Sequence, residues 1–112
     1  MLDTKKLYGI AKIDSLELEE AKQNLEIDIK YYVTKILIGK VNSRKYGIEI
    51  IKEEKQGNTT TKERSKINGL SNNERVIKNL LELLMKNRVT PMSTEVVIDD
   101  LRRNPQVIYD ML

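Results

Sequence analysis

The chain has 112 residues, 39% apolar and 33% charged, with a net charge of +3. That suits one folded domain, is too polar for a membrane span of about 20 apolar residues, and is too apolar for a disordered chain. Cysteine and histidine are both absent, which excludes disulfides, thiolate chemistry and the commonest general base and metal ligand. With no Phe and no Trp, the core must be aliphatic, framed by five tyrosines. Residues 1–26 sum to −2, residues 27–70 to +5 and residues 71–112 to zero, so the basic surplus belongs to the middle third.

Residues 2–13 read as a loose start or a short edge strand: Leu7, Ile10 and Ala11 have helical spacing, and Gly9 weakens any regular element. Asp14 and Glu17 match a capping box, and Leu18, Ala21 and Leu25 share one helical face, which predicts a short accessory helix over 15–25. β-Branched and aromatic residues dominate 27–38, apolar on both faces, so that segment is expected to be a central strand. Asn42-Ser43 marks a turn. Strand 45–54 follows, with Tyr46, Ile48 and Ile50 on one face, and Gly47 within it signals a bulge or a close backbone approach. After Gln56-Gly57-Asn58 comes strand 59–67, so polar that it should be a solvated edge protected by its charges.

Ser71 and Glu74 form a second capping-box pattern at the head of a helix over 72–87. Val76, Ile77, Leu80, Leu81 and Leu84 make its stripe, widened by Leu83 and Met85. A helix this apolar must be covered on more than one side. Thr90 then caps a restart at Pro91, where the missing N–H costs nothing, and a helix over 91–103 runs to Pro105 with Met92, Val96, Val97 and Leu101 on its buried side. The expected fold is α+β: a three-stranded antiparallel meander with two C-terminal helices on one face and an accessory N-terminal helix. The chain divides into an accessory segment (1–26), strands (27–70), a helix pair (71–104) and a tail (105–112) within one domain.

The strand Tyr46-Gly47-Ile48-Glu49, followed by a polar strand, a capped helix, Val89-Thr90-Pro91 and Val96-Val97-Ile98-Asp99-Asp100-Leu101, resembles a small family of unknown function from low-GC Gram-positive bacteria. The resemblance spans residues 30–103. It implies a small α+β architecture and a cytoplasmic setting, and no catalytic chemistry.

Glu95, Asp99 and Asp100 are the one acidic cluster that invites a cation, but adjacent helical residues diverge by about 100°, so pairing with Arg102 and Arg103 is the better reading. No metal and no cofactor is expected, and no enzyme. Tyr31 with Lys30, Lys35, Arg44 and Lys45 forms a candidate anion or nucleic-acid face, since aromatics stack on bases and cations hold phosphates. The plainer reading is that tyrosines frame the core. The apolar tail residues Val107, Ile108, Met111 and Leu112 form a candidate protein interface. The sequence therefore predicts a cytoplasmic interaction or regulatory module working through its helix pair or tail, with a protein partner or a second copy, and with weak nucleic-acid binding by the basic strands as the alternative.

Overall fold

The computed structural model describes residues 2–13, 25–38 and 43–104. Four strands, β1 (Leu2–Ile13), β2 (Leu25–Ile38), β3 (Ser43–Gln56) and β4 (Thr59–Ser71), are followed by helices α1 (Glu74–Lys86) and α2 (Pro91–Arg103). The strands form one antiparallel sheet in the order β1-β2-β3-β4. This corrects the expected three-stranded meander. Residues 2–13 are an edge strand twelve residues long, paired with β2 from Leu2↔Leu37 to Ile13↔Ile27. The accessory helix expected over 15–25 falls on residues 14–24, which lie outside the described residues, and Leu25 already belongs to β2.

A bulge explains why β1 does not look like a strand in the sequence. Its register shifts between Leu7 and Gly9, so Tyr8 is an extra residue and the alternation changes phase there. Leu7 and Ile10 therefore share one face while Tyr8, Ala11 and Ile13 share the other. A three-residue step between the two apolar positions mimics a helix.

Both helices lie on one face of the sheet, α1 across all four strands and α2 over β4 and β3. Ile29, Tyr31 and Val33 of β2 and Tyr46, Ile48 and Ile50 of β3 meet Ile77, Leu80, Leu81 and Leu84 of α1 and Ile98 and Leu101 of α2. The leucine-rich stripe is thus spent on the core, as its density demands. Tyr31 is fully buried and its hydroxyl donates to the Val89 carbonyl, 2.9 Å away, in the link between the helices. A helix of 13 residues is about 20 Å long and a strand of 14 about 45 Å, so the sheet outruns the helices toward the Gly57 turn, where residues 55–62 are exposed.

The helix ends differ from the sequence expectation at one point. Ser71 is the last residue of β4, and Asn73 caps α1 by accepting from the Arg75 N–H at 3.0 Å, while the Ser71 hydroxyl accepts from the Asn73 N–H. Two bonds close α1: the Arg88 N–H donates to Met85 O and the Val89 N–H to Leu84 O. Arg88 takes a φ of 50° there, the left-handed residue of a Schellman stop. Pro91 opens α2 directly after Thr90, as expected, although the Thr90 hydroxyl bonds Ser93 Oγ rather than a backbone N–H.

Gly47 lies at a register shift in which β3 passes from Tyr46↔Ser71 to Ile48↔Ile67. Residues Asn68, Gly69 and Leu70 bow out of β4 opposite this one glycine. A Cβ on Gly47 would run into the Ile67 carbonyl oxygen and come within 2.8 Å of the Asn68 Cα and 2.9 Å of Thr34 Oγ1. The close approach read from the sequence is real, and it lets the Thr34 hydroxyl reach Asn68 Oδ1 at 3.4 Å.

Candidate functional site

Among the described residues no helix lies on the other face of the sheet. Alternation along the strands and the pairing register place three central rows there: Leu7–Tyr32–Glu49–Lys66, Ile10–Lys30–Ile51–Arg64 and Lys12–Asp28–Glu53–Lys62, with Lys5 in the row beyond. Side-chain contacts agree with the register. Lys5 Nζ is 3.2 Å from one Glu49 carboxylate oxygen and Arg64 Nε 3.4 Å from the other. The Lys5 ammonium also sits 4.8 Å from the centroid of the Tyr32 ring, within cation–π range. Lys62 and Lys55 both pair with Glu53.

Glu49 is the unusual member. Its side chain is only 3% exposed although it sits on the helix-free side. A carboxylate buried to that depth needs cations and hydrogen bonds to offset its lost hydration, and Lys5 and Arg64 supply the cations. Around this fixed centre Leu7 and Ile10 remain 46% and 41% exposed. The result is a broad, mainly basic face with apolar side chains set among the charges.

The sequence-predicted face is divided by the sheet. Lys30 and Lys45 lie on the helix-free side; Tyr31, Lys35 and Arg44 have the opposite parity. Tyr31 is buried beneath the helix link, and burial pushes its hydroxyl up to about 12 against the opposing pull of Arg88, so it offers no ring to a ligand. Sequence reasoning missed Lys5, Lys12, Lys62 and Arg64, which join Lys30 only through strand pairing. Tyr8, on the helix side, donates its hydroxyl to Glu82 at 2.7 Å; that bond, then burial, then the Glu82 charge raise its pKa.

A second feature is a groove of about 380 Å³ between the start of α1 and the end of α2, lined by Leu70, Val76, Ile77, Leu80, Ile98 and Leu101, with Ser71, Asn72, Asn73 and Arg102. The tail candidates Val107, Ile108, Met111 and Leu112 lie outside the described residues. On α2, Glu95, Asp99 and Asp100 are exposed. Among the described residues no group of three or more acidic, His or Cys side chains is placed to hold a metal ion, and no helix is long and apolar enough to cross a membrane.

No curated protein and no solved structure matches the chain. Residues 5–104 match a family of unknown function, DUF6514, a span that takes in most of β1 along with the rest of the sheet and both helices. The chain belongs to that family.

Proposed function

We propose that the protein is an interaction module that works by contact rather than catalysis, and that its docking surface is the helix-free face of the sheet, fitted to an acidic polypeptide. The observation that carries this is the exposure of Leu7 and Ile10 among Lys5, Lys12, Lys30 and Arg64 on the face that neither described helix covers. Apolar side chains supply binding free energy when water is removed from them, and cations around them select a partner of opposite charge. The helix pair is the weaker docking surface, because its stripe is consumed by the core. A chain without histidine or cysteine, and a face without a cleft, give little material for catalysis.

Nucleic acid is the competing occupant, since the face is basic. Sheet surfaces that read single strands stack two or three bases on open aromatic rings. In the three central rows Tyr32 is the sole aromatic, and the Lys5 ammonium already lies against it. That favours a polypeptide.

The test is fluorescence anisotropy of the full chain against two probes, an Asp/Glu-rich peptide carrying spaced leucines and a single-stranded oligonucleotide, each at low and high salt. The peptide should bind, and Leu7→Ser with Ile10→Ser should weaken it by about 2 kcal/mol, or about thirtyfold. Tighter binding of the oligonucleotide, insensitive to Leu7→Ser, would replace this reading with the nucleic-acid one. Failure of both probes at low salt would end it.

A further inference from the structure

The exposed large hydrophobic side chains named so far are two, and α2 supplies two more. Met92 is 79% exposed and Val96 64% exposed, against 46% and 41% for Leu7 and Ile10. The sequence places Met92, Val96, Val97 and Leu101 on the buried side of α2; the structure buries Leu101 and packs Val97 against the core, but buries Pro91, Thr94 and Ile98 in place of Met92 and Val96. Met92, Glu95, Val96 and Asp99 follow the i, i+3, i+4, i+7 spacing that puts them on one stripe of a helix, and all four are exposed. This stripe stands at the β4 edge of the sheet, where Met92 and Glu95 line a pocket with Glu63, Arg64 and Ser65. It pairs apolar side chains with carboxylates, whereas the helix-free face pairs apolar side chains with ammonium and guanidinium groups.

The geometry points to a second copy of this chain as the acidic occupant: the outer stripe of α2 docks on the helix-free sheet face of the next molecule. The inference rests on the docking surface proposed above. Met92 and Val96 meet Leu7 and Ile10, while Glu95 and Asp99 meet Lys12 and Lys30. Leu7, Ile10, Lys12 and Lys30 lie on β1 and β2, across the sheet from the β4 and β3 strands on which α2 packs, so one molecule cannot bring its own stripe onto them. The contact is heterologous, and repeating it stacks molecules head to tail instead of closing a symmetric pair. Salt screens such charge pairing, so the stack shortens as ionic strength rises.

Sedimentation velocity on the full chain tests this. The parent protein should show a weight-average mass that rises with concentration at low salt and falls toward the monomer at high salt. Glu95→Lys with Asp99→Lys should be monomeric, as should Leu7→Ser with Ile10→Ser, since each disables one of the two patches from surface positions, and the second leaves the face basic so that the altered stripe of the first has no acidic face to dock on. Mixing the two variants in equal amounts should give a dimer and nothing larger, because one intact stripe and one intact face remain in the mixture. A parent protein that stays monomeric at low salt up to the highest soluble concentration would overturn the inference, and so would a mixture that stays monomeric. Acidic-peptide binding separates the two claims. A monomeric parent that still binds the peptide leaves the docking face standing and removes only the second copy; a parent that neither associates nor binds the peptide removes both.

Discussion

Replacing Gly47 by alanine tests the tightest backbone packing in the sheet. The added methyl would overlap the Ile67 carbonyl and crowd the Asn68 Cα and Thr34 Oγ1 at 2.8 and 2.9 Å. Two of these three neighbours are backbone atoms and cannot rotate aside, so β4 must lift from β3 at the point where it bows. Overpacking a well-filled site costs about 1–3 kcal/mol, and rigid neighbours place this case near the top of the range. Alanine recovers about 0.5–1 kcal/mol, because it loses less freedom than glycine on entering a strand. The net expectation is a loss of about 2 kcal/mol, which lowers Tm by about 8–10 °C in a domain this size. Urea titration followed by far-UV circular dichroism measures it. Gly57→Ala is the control: Gly57 has a φ of +60° but open space around its Cβ position, so only the left-handed backbone penalty of about 1 kcal/mol applies. If Gly47→Ala changes stability by less than Gly57→Ala, the close approach between β3 and β4 is not as described.

Leu84→Ala, at a fully buried position of α1, should cost about 2–5 kcal/mol in the same titration; a loss below 1 kcal/mol would show that α1 does not sit on the sheet in this way. Tyr31→Phe removes the hydrogen bond to the Val89 carbonyl and should cost about 1 kcal/mol at neutral pH. The Tyr31 hydroxyl is pushed up to about 12 by burial, so the folded state favours the protonated phenol. That stabilisation is complete below about pH 10 and is lost as pH rises toward 12; thermal melts should fall across that window in the parent and more shallowly in Tyr31→Phe, with Tyr8→Phe as control because Tyr8 also titrates high. Glu49→Gln should be tolerated within about 1 kcal/mol, because it removes a buried charge and frees two exposed cations to rehydrate. Lys5→Met with Arg64→Met leaves the carboxylate and removes both cations, and should cost about 3 kcal/mol. The reverse order would mean that Glu49 is better hydrated than its burial indicates.

The helices were legible because their signals are local. The leucine stripe, the Pro91 restart and the Pro105 stop all lie within a few residues of what they control, and α2 has the bounds expected of it. Strands β2 to β4 were legible from β-branched content and turn residues. Strand β1 was legible only as a loose start or a short edge strand and was left out of the expected sheet, because the bulge at Tyr8 breaks the two-residue alternation on which strand reading depends. The Ser71 capping box failed for a related reason. The bow opposite Gly47 carries β4 on to Ser71, so the cap moves to Asn73. The buried side of α2 was right at Val97 and Leu101 and wrong at Met92 and Val96, because the weakly apolar Pro91 and Thr94 hid the true stripe. At the candidate site, residues close in sequence were grouped as one face. Neighbours in a strand point to opposite sides, so that grouping mixed Lys30 with Tyr31 and omitted the cations of β1 and β4, which reach the same face only through pairing.

A solvated sheet face needs nothing more than polar side chains, and a row of lysines would serve. The helix-free face instead buries a carboxylate at its centre and holds two cations over it, one of them also against an aromatic ring. Long cationic side chains usually lose about 2 kcal/mol of rotamer freedom when a partner fixes them. Here Glu49 and Tyr32 have already restricted Lys5, and Glu49 has restricted Arg64, before any partner arrives, which lowers the ordering cost of binding. Lys5 lies on the same face of β1 as the exposed Leu7 and Ile10, and Arg64 ends the row that Ile10 begins. Fixed charge next to exposed apolar surface is what a docking face requires, and Glu49→Gln separates the two roles: it should leave the fold nearly unchanged while freeing Lys5 and Arg64, so that acidic-peptide binding weakens although the face has become more positive. Tighter binding in Glu49→Gln would show that net charge alone governs the face and that the clamp has no part in recognition.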